Sequence, residues 1–158
     1  MSPFKNKLLL NIILIFSITA LSAAYFIQFI LGHKPCNLCL IERIPYISSI
    51  ILISLIFILQ KFERVLILLI GLLFLFGTAV SFYHVGIEQG YFNESLVCNL
   101  SSFSNNLTNE ELLKQLAEKP VSCKDVTFSI FGISLATFNT IISAVISGIM
   151  LRKFLKND

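Results

Sequence analysis

The chain has 158 residues, enough for one domain, and carries a net charge of +3. Hydrophobic residues make up 56% and charged residues only 13%, too few charges for a soluble domain of this size. No basic cluster is interleaved with exposed aromatics, so the charge does not point to nucleic acid. It is instead distributed between stretches that hold no charge at all: residues 8–31, 44–60, 65–82 and 126–151. Runs of this length predict membrane-spanning helices.

The first run follows Lys5 and Lys7 and contains Ala20-Leu21-Ser22-Ala23-Ala24, which is similar to a signal-peptide cleavage site. Its apolar stretch continues to Leu31, longer than a signal h-region of about 7–15 residues, so a retained anchor is expected. A short loop follows, with Pro35 ahead of Cys36-Asn37-Leu38-Cys39-Leu40-Ile41-Glu42-Arg43. Proline suits the start of a helix, so Cys36 is expected at the first turn of the second span. Free N–H groups and the helix dipole there favour a thiolate. Arg43 stands four residues after Cys39, which on a continuous helix puts both on one face. Pro45 removes the bond to the Ile41 carbonyl and predicts an irregular helix at that point. The uncharged part of this span reaches roughly 25 Å, short of a ~30 Å hydrocarbon core, so Arg43 is expected at or slightly within the membrane surface. An arginine there is a functional candidate.

The third span ends in Tyr83-His84-Val85-Gly86-Ile87-Glu88, which places His84 and Glu88 one helical turn apart near the interface. His84 is a candidate for the site or simply a hydrogen-bonded interfacial residue. Glu42 and Glu88 are expected to be solvated interfacial charges. Tyr91 and Phe92 fit an aromatic belt. Residues 93–107 are rich in Asn and Ser and predict a loop. Their Asn-x-Ser/Thr triplets at Asn93, Asn99 and Asn106 arise easily in such a composition. Thr108 and Glu111 then form a capping box, and Leu112, Leu113 and Leu116 give a short amphipathic helix. Gly77 with Ser81, Ser143 with Ser147 and Ala144 with Gly148 suggest close helix packing in the last two spans.

Lys and Arg set the orientation. Seven lie at the termini and the 61–64 turn, and five in the much longer remainder; with the acids included the two sides carry +5 and −2. Both termini are therefore expected in the cytoplasm, and loops 32–43 and 85–125 outside. All four cysteines then face the compartment where disulfides persist. Cys36 and Cys39 have redox-pair spacing. A zinc site using Cys98 and Cys123 as further ligands is disfavoured, because structural zinc sites usually repeat the tight spacing and this second pair is 25 residues apart. Cys98 and Cys123 fit either a structural bridge or a second exchanging pair, and the neighbouring CxxC favours exchange.

At Cys36-Asn37-Leu38-Cys39-Leu40-Ile41-Glu42-Arg43 the chain resembles the DsbB family of disulfide bond formation proteins of the bacterial inner membrane. Four spans, the Tyr-His-x-Gly-x-Glu stretch, a cysteine at each side of the long loop, and Phe131-Gly132-Ile133-Ser134-Leu135-Ala136 with Asn139 extend the likeness over nearly the whole chain. The chain has no Trp, which the family often places near the last cysteine and fourth span. A vitamin K epoxide reductase-like protein would carry its loop cysteines before its CxxC, the reverse of the order here. A tetraspanin- or claudin-like scaffold would not explain CxxC followed by Glu42-Arg43.

The resemblance implies an all-α membrane protein: one domain over residues 1–158, a four-transmembrane-helix bundle with spans near 8–31, 44–60, 65–84 and 126–151. It implies an oxidoreductase that re-oxidises a periplasmic DsbA-like thioredoxin-fold protein and passes electrons to ubiquinone or menaquinone, with no metal. The implied catalytic residues are Cys36, Cys39, Cys98 and Cys123. A mixed disulfide would form at Cys98, on an accessible loop disulfide. Arg43 and His84 would line the quinone pocket, Arg43 favouring a Cys39 thiolate.

Overall fold

The computed structural model describes residues 3–59, 62–94, 98, 122–124, 129–130 and 132–156. The expected loop helix at 108–116 and the triplets at Asn99 and Asn106 lie outside them. Helix α1 spans Pro3–Phe29, α2 Asn37–Ile41, α3 Ile44–Leu59, α4 Glu63–Glu88 and α5 Leu135–Lys156. Two short antiparallel strands, β1 (Ser129–Ile130) and β2 (Ile133–Ser134), precede α5. Four helical segments are long and apolar enough to cross a membrane: Lys7–Phe29, Asn37–Ile58, Glu63–Glu88 and Leu135–Lys156. The long helices pack in chain order, α1 on α3, α3 on α4 and α4 most extensively on α5, consistent with a four-helix bundle.

Two segments depart from the uncharged runs. The second begins at Asn37 rather than near 44 and has 22 residues, so it reaches about 33 Å and is no longer short of the hydrocarbon core. Absence of charge understated it, because Glu42 and Arg43 sit inside it. The fourth begins at Leu135 rather than near 126, because the preceding residues form the β1–β2 hairpin. Ser134 then caps α5: its Oγ accepts from the Thr137 N–H at 3.2 Å, the third residue of the helix, and satisfies one of the helix's free donors. Lys153 and Lys156 in the last turn complement the negative end of the dipole.

Burial is inverted relative to a soluble bundle. Ile15, Phe26, Ile51, Ile58, Phe76, Phe82 and Ile141 are exposed, whereas Ser17, Ser49, Ser81, Ser143 and Ser147 are buried. Lipid tails are as apolar as isoleucine, so outward isoleucines cost nothing there, while a hydroxyl needs an internal partner. Ser17 and Ser49 share a 3.0 Å hydrogen bond between α1 and α3, and Ser147 Oγ donates to the Gly71 carbonyl at 3.0 Å between α5 and α4. Gly77 permits a close approach of α3 to α4, since a Cβ there would lie 2.9 Å from Pro45 Cγ. The Ala144–Gly148 pair does not pack in this way: both are exposed, and Gly148 has open space around it. Around this framework Leu10, Ile53, Ile67, Ile70, Phe74 and Met150 form the apolar core, with Tyr46 edge-on to Phe74 at 5.4 Å.

Candidate functional site

Local rules position the tight cysteine pair. Cys36 is the N-cap of α2, in extended backbone, and its Sγ accepts from the Cys39 N–H at 3.3 Å. The two sulfurs are 2.7 Å apart; Cys36 is buried and Cys39 half-buried. Hydrogen bonding from the Cys39 thiol is the main reason the Cys36 thiol is lowered to about 4; His84 assists, and burial opposes. The helix then stops at Ile41. Glu42 and Arg43 occupy a turn, and α3 restarts at Ile44 ahead of Pro45, which has no N–H to continue the ladder.

Cys39 and Arg43 stand on either side of that break and still line one cavity, as their spacing predicts. The Arg43 guanidinium donates to Gln28 Oε1 at 2.7 Å and lies over the Tyr25 ring, 4.9 Å from its centroid, so both these contacts are with α1. The break also turns Glu42 inward. Its side chain is about one-tenth exposed, and that of Glu88 even less, so neither is the solvated interfacial charge expected of it.

A buried polar chain runs from the tight pair into the bundle. His84 Nε2 lies 3.5 Å from Cys36 Sγ, and its Nδ1 lies 2.7 Å from Glu42 Oε1. Asn139 Nδ2 donates to Glu42 Oε2 at 2.8 Å. Asn139 Oδ1 accepts from Tyr46 O–H at 2.5 Å and from Ser143 Oγ at 3.2 Å. Two helices, α4 through His84 and α5 through Asn139, thus converge on one carboxylate, and Tyr46 brings α3 into the chain. Buried polar groups of this kind persist only when each finds a partner. Glu88 is less complete: Oε1 is 3.8 Å from His84 Nε2, and Oε2 is buried with no hydrogen-bond partner among the described residues.

Position at the end of α4 follows from its C-cap. Gly90 takes the left-handed conformation (φ +78°), and the N–H groups of Gly90 and Tyr91 return to the Ile87 and Gly86 carbonyls at 3.0 and 2.8 Å. This Schellman motif stops the helix at Glu88 and so holds His84 and Glu88 on its last turns.

Beside the chain lies a cavity of about 270 Å³. Ala20, Ala23, Ala24 and Ile27 of α1 give it a small-residue apolar wall, and Cys39, Arg43, His84 and Glu88 give it a polar end. An apolar pocket with a few convergent polar groups is the usual form of a small-molecule site.

The wide pair has a different setting. Cys98 and Cys123 form a disulfide with a Cα–Cα distance of 5.8 Å. Both are buried, packed with Cys36, Leu38 and Ile87. This corrects the expectation of an accessible bridge: apolar packing on α2 and α4 covers it. Glu94 fastens the neighbouring chain by accepting from Ser122 and from the Lys124 N–H.

All six candidates therefore lie in or against a single region: Cys36, Cys39 and His84 are in direct contact, Arg43 lines the adjoining cavity, and the Cys98–Cys123 bridge packs against Cys36. Gln28, Glu42, Tyr46 and Glu88 carry the rest, and Asn139, noted in sequence only through the resemblance, joins Glu42 to Tyr46. The available signal was polarity inside an apolar helix, which marks function in a membrane span.

Comparison with known proteins agrees with this arrangement. The family described as Disulfide bond formation protein DsbB matches residues 6–152. A protein of Rickettsia prowazekii (strain Madrid E), itself described as uncharacterized, is 30% identical over 137 residues, 85% of this chain and 80% of that protein. No solved structure matches the chain. With the family matched from the first span to the last, this chain belongs to the DsbB family of disulfide bond formation proteins and is a thiol oxidoreductase with membrane-spanning helices.

Proposed function

We propose that the chain re-oxidises a DsbA-like dithiol protein and passes the electrons through Cys98–Cys123 and then Cys36–Cys39 to a membrane quinone. The proposal places one membrane domain, residues 1–158, in a bacterial inner membrane, with both termini cytoplasmic and the cysteines on the periplasmic side. The observation that carries it is the cavity into which Cys39, Arg43 and His84 converge beside the Cys36–His84–Glu42 chain.

The cavity suits a quinone. Alanines along α1 leave room for a flat ring against an apolar wall, and Arg43 and His84 supply hydrogen-bond donors at the polar end. Ubiquinone or menaquinone, when bound, supplies an acceptor for two electrons and two protons.

The chain's own residues do the remaining work. The donor's thiolate attacks Cys98, forming a mixed disulfide and releasing the Cys123 thiolate. The donor's second thiolate then displaces Cys98, so the donor leaves oxidised and Cys98 and Cys123 are reduced. Because the bridge is buried against Leu38 and Ile87, Cys98 must leave that packing to be reached. One loop thiolate next attacks the Cys36–Cys39 disulfide and the other completes the exchange. Cys36 lies in the same apolar cluster as the loop pair, so this second exchange is short-range. His84, oriented through Nδ1 by Glu42, takes a proton from Cys36 and keeps it a nucleophile. Arg43, anchored by Gln28 and Tyr25, fixes a positive charge at the cavity's polar end.

The test is oxidation of a reduced thioredoxin-fold donor by purified protein, with quinone supplied or withheld. Turnover should require quinone and vanish in Cys39→Ser. Full quinone-coupled turnover in that variant would show that the electrons take another route.

A further inference from the structure

We propose that the reduced Cys36–Cys39 pair and His84 form a binding site for a thiophilic divalent cation such as zinc, with Glu88 beside it, and that occupation of this site blocks oxidation of the pair. The two sulfurs and one ring nitrogen of His84 lie within 4.8 Å of one another. His84 Nε2 is 3.5 Å from Cys36 Sγ, close to the separation of about 3.5 Å between a nitrogen and a thiolate on one tetrahedral zinc. The sulfurs, now 2.7 Å apart, need to part by about 1 Å to match two thiolates on one zinc. Cys39 is only half-buried, so a side-chain rotation provides that movement.

Two further features fit a cation. His84 Nδ1 faces the Glu42 carboxylate at 2.7 Å, the outer partner that metal-bound histidines characteristically have, and Asn139 holds the other Glu42 oxygen. Glu88 places Oε1 3.8 Å from His84 Nε2, and its buried Oε2 has no partner among the described residues; a cation at this point would satisfy it. Spacing argued against zinc shared among four cysteines. The set here is different, because Cys98 and Cys123 are bonded to each other and His84 supplies the third ligand.

The chemistry is not redox. Cys36 has already given its proton to His84, so the Cys39 thiol and His84 Nε2 lose their protons to water, two sulfur–metal bonds and one nitrogen–metal bond form, and no electron moves. A Cys36–Cys39 disulfide offers no thiolate, so metal capture and oxidation exclude one another.

The test uses reduced full-length protein carrying Cys98→Ser and Cys123→Ser, so that the other pair cannot contribute. Cadmium titration is followed by the ultraviolet sulfur-to-metal charge-transfer band, and zinc coordination by X-ray absorption. One saturable site per chain is expected, lost on oxidation, with two sulfurs and at least one nitrogen around the metal. Glu42→Gln should weaken binding by about tenfold, and His84→Ala by more. Unchanged affinity in His84→Ala, or a shell without nitrogen in the unsubstituted histidine background, would overturn the site in favour of a bare CxxC chelate. The absorption measurement decides even if His84→Ala does not fold. Neither donor nor quinone is present, so this result and the result of the turnover assay stand apart.

Discussion

The two cysteine pairs occupy neighbouring but opposite environments. Cys36 and Cys39 adjoin a buried polar chain of His84, Glu42, Asn139 and Tyr46, and both line a cavity. Cys98 and Cys123 are bonded and packed in apolar surroundings, with Leu38 and Ile87 among their neighbours. Polar partners tune a thiol's charge and hold it for chemistry. Apolar packing instead shields a bridge until something displaces the covering side chains. The difference separates a pair built to react from a pair built to be uncovered.

The largest effect should come from breaking the reactive pair. Cys39→Ser is expected to abolish coupled turnover while leaving the Cys98–Cys123 bridge intact, as read by thiol titration. Loss of the bridge in that variant would show that the pairs are not separable. Next comes Glu42→Gln, which removes the anion facing His84 Nδ1. Turnover should fall by about a hundredfold, the scale of a lost general base. A fall of less than threefold would reduce Glu42 to packing.

The same chain makes a pH prediction. Cys36 is lowered to about 4, so its thiolate fraction is already complete well below neutrality. The rate at which a small reagent alkylates reduced Cys36 should therefore be level across neutral pH. In His84→Ala, one of the groups lowering Cys36 is gone, so its midpoint should move upward and the plateau begin at a higher pH. A wild-type rate that climbs tenfold per pH unit through neutrality would contradict the assignment.

A smaller effect sharpens the other side of the comparison. Leu38 is buried against both pairs, and Leu38→Ala should cost about 2–5 kcal/mol by thermal or denaturant unfolding. It should also speed reduction of Cys98–Cys123 by a soluble dithiol, because the cover has thinned. Unchanged reduction would mean that Leu38 does not shield the bridge. Smallest is Ser17→Ala, which removes an α1–α3 hydrogen bond that contacts neither pair and should cost about 0.6 kcal/mol without affecting turnover.

What was legible in the chain was local. Four apolar runs announce four helices because a span must be long and mostly apolar. Pro35 before Cys36 and Pro45 after Arg43 mark a helix start and a break because proline acts on its own backbone. Errors arose where distant elements decide. The start of the fourth helix depends on a hairpin and the Ser134 cap, which lack of charge does not reveal. Glu42 and Glu88 look like surface charges until α4 and α5 enclose them. Arg43 lines the same cavity as Cys39, as its spacing predicts, but its partners Gln28 and Tyr25 come from α1, which no local rule names.

The central claim is a direction: electrons enter at the shielded pair and leave from the reactive one. Rapid acid quenching and alkylation after mixing oxidised protein with a reduced donor tests it directly. Thiols should appear at Cys98 and Cys123 before Cys36 and Cys39, and in Cys98→Ala no donor-dependent thiols should appear at Cys36 and Cys39. Reduction of Cys36–Cys39 first, or at an undiminished rate in Cys98→Ala, would contradict the account.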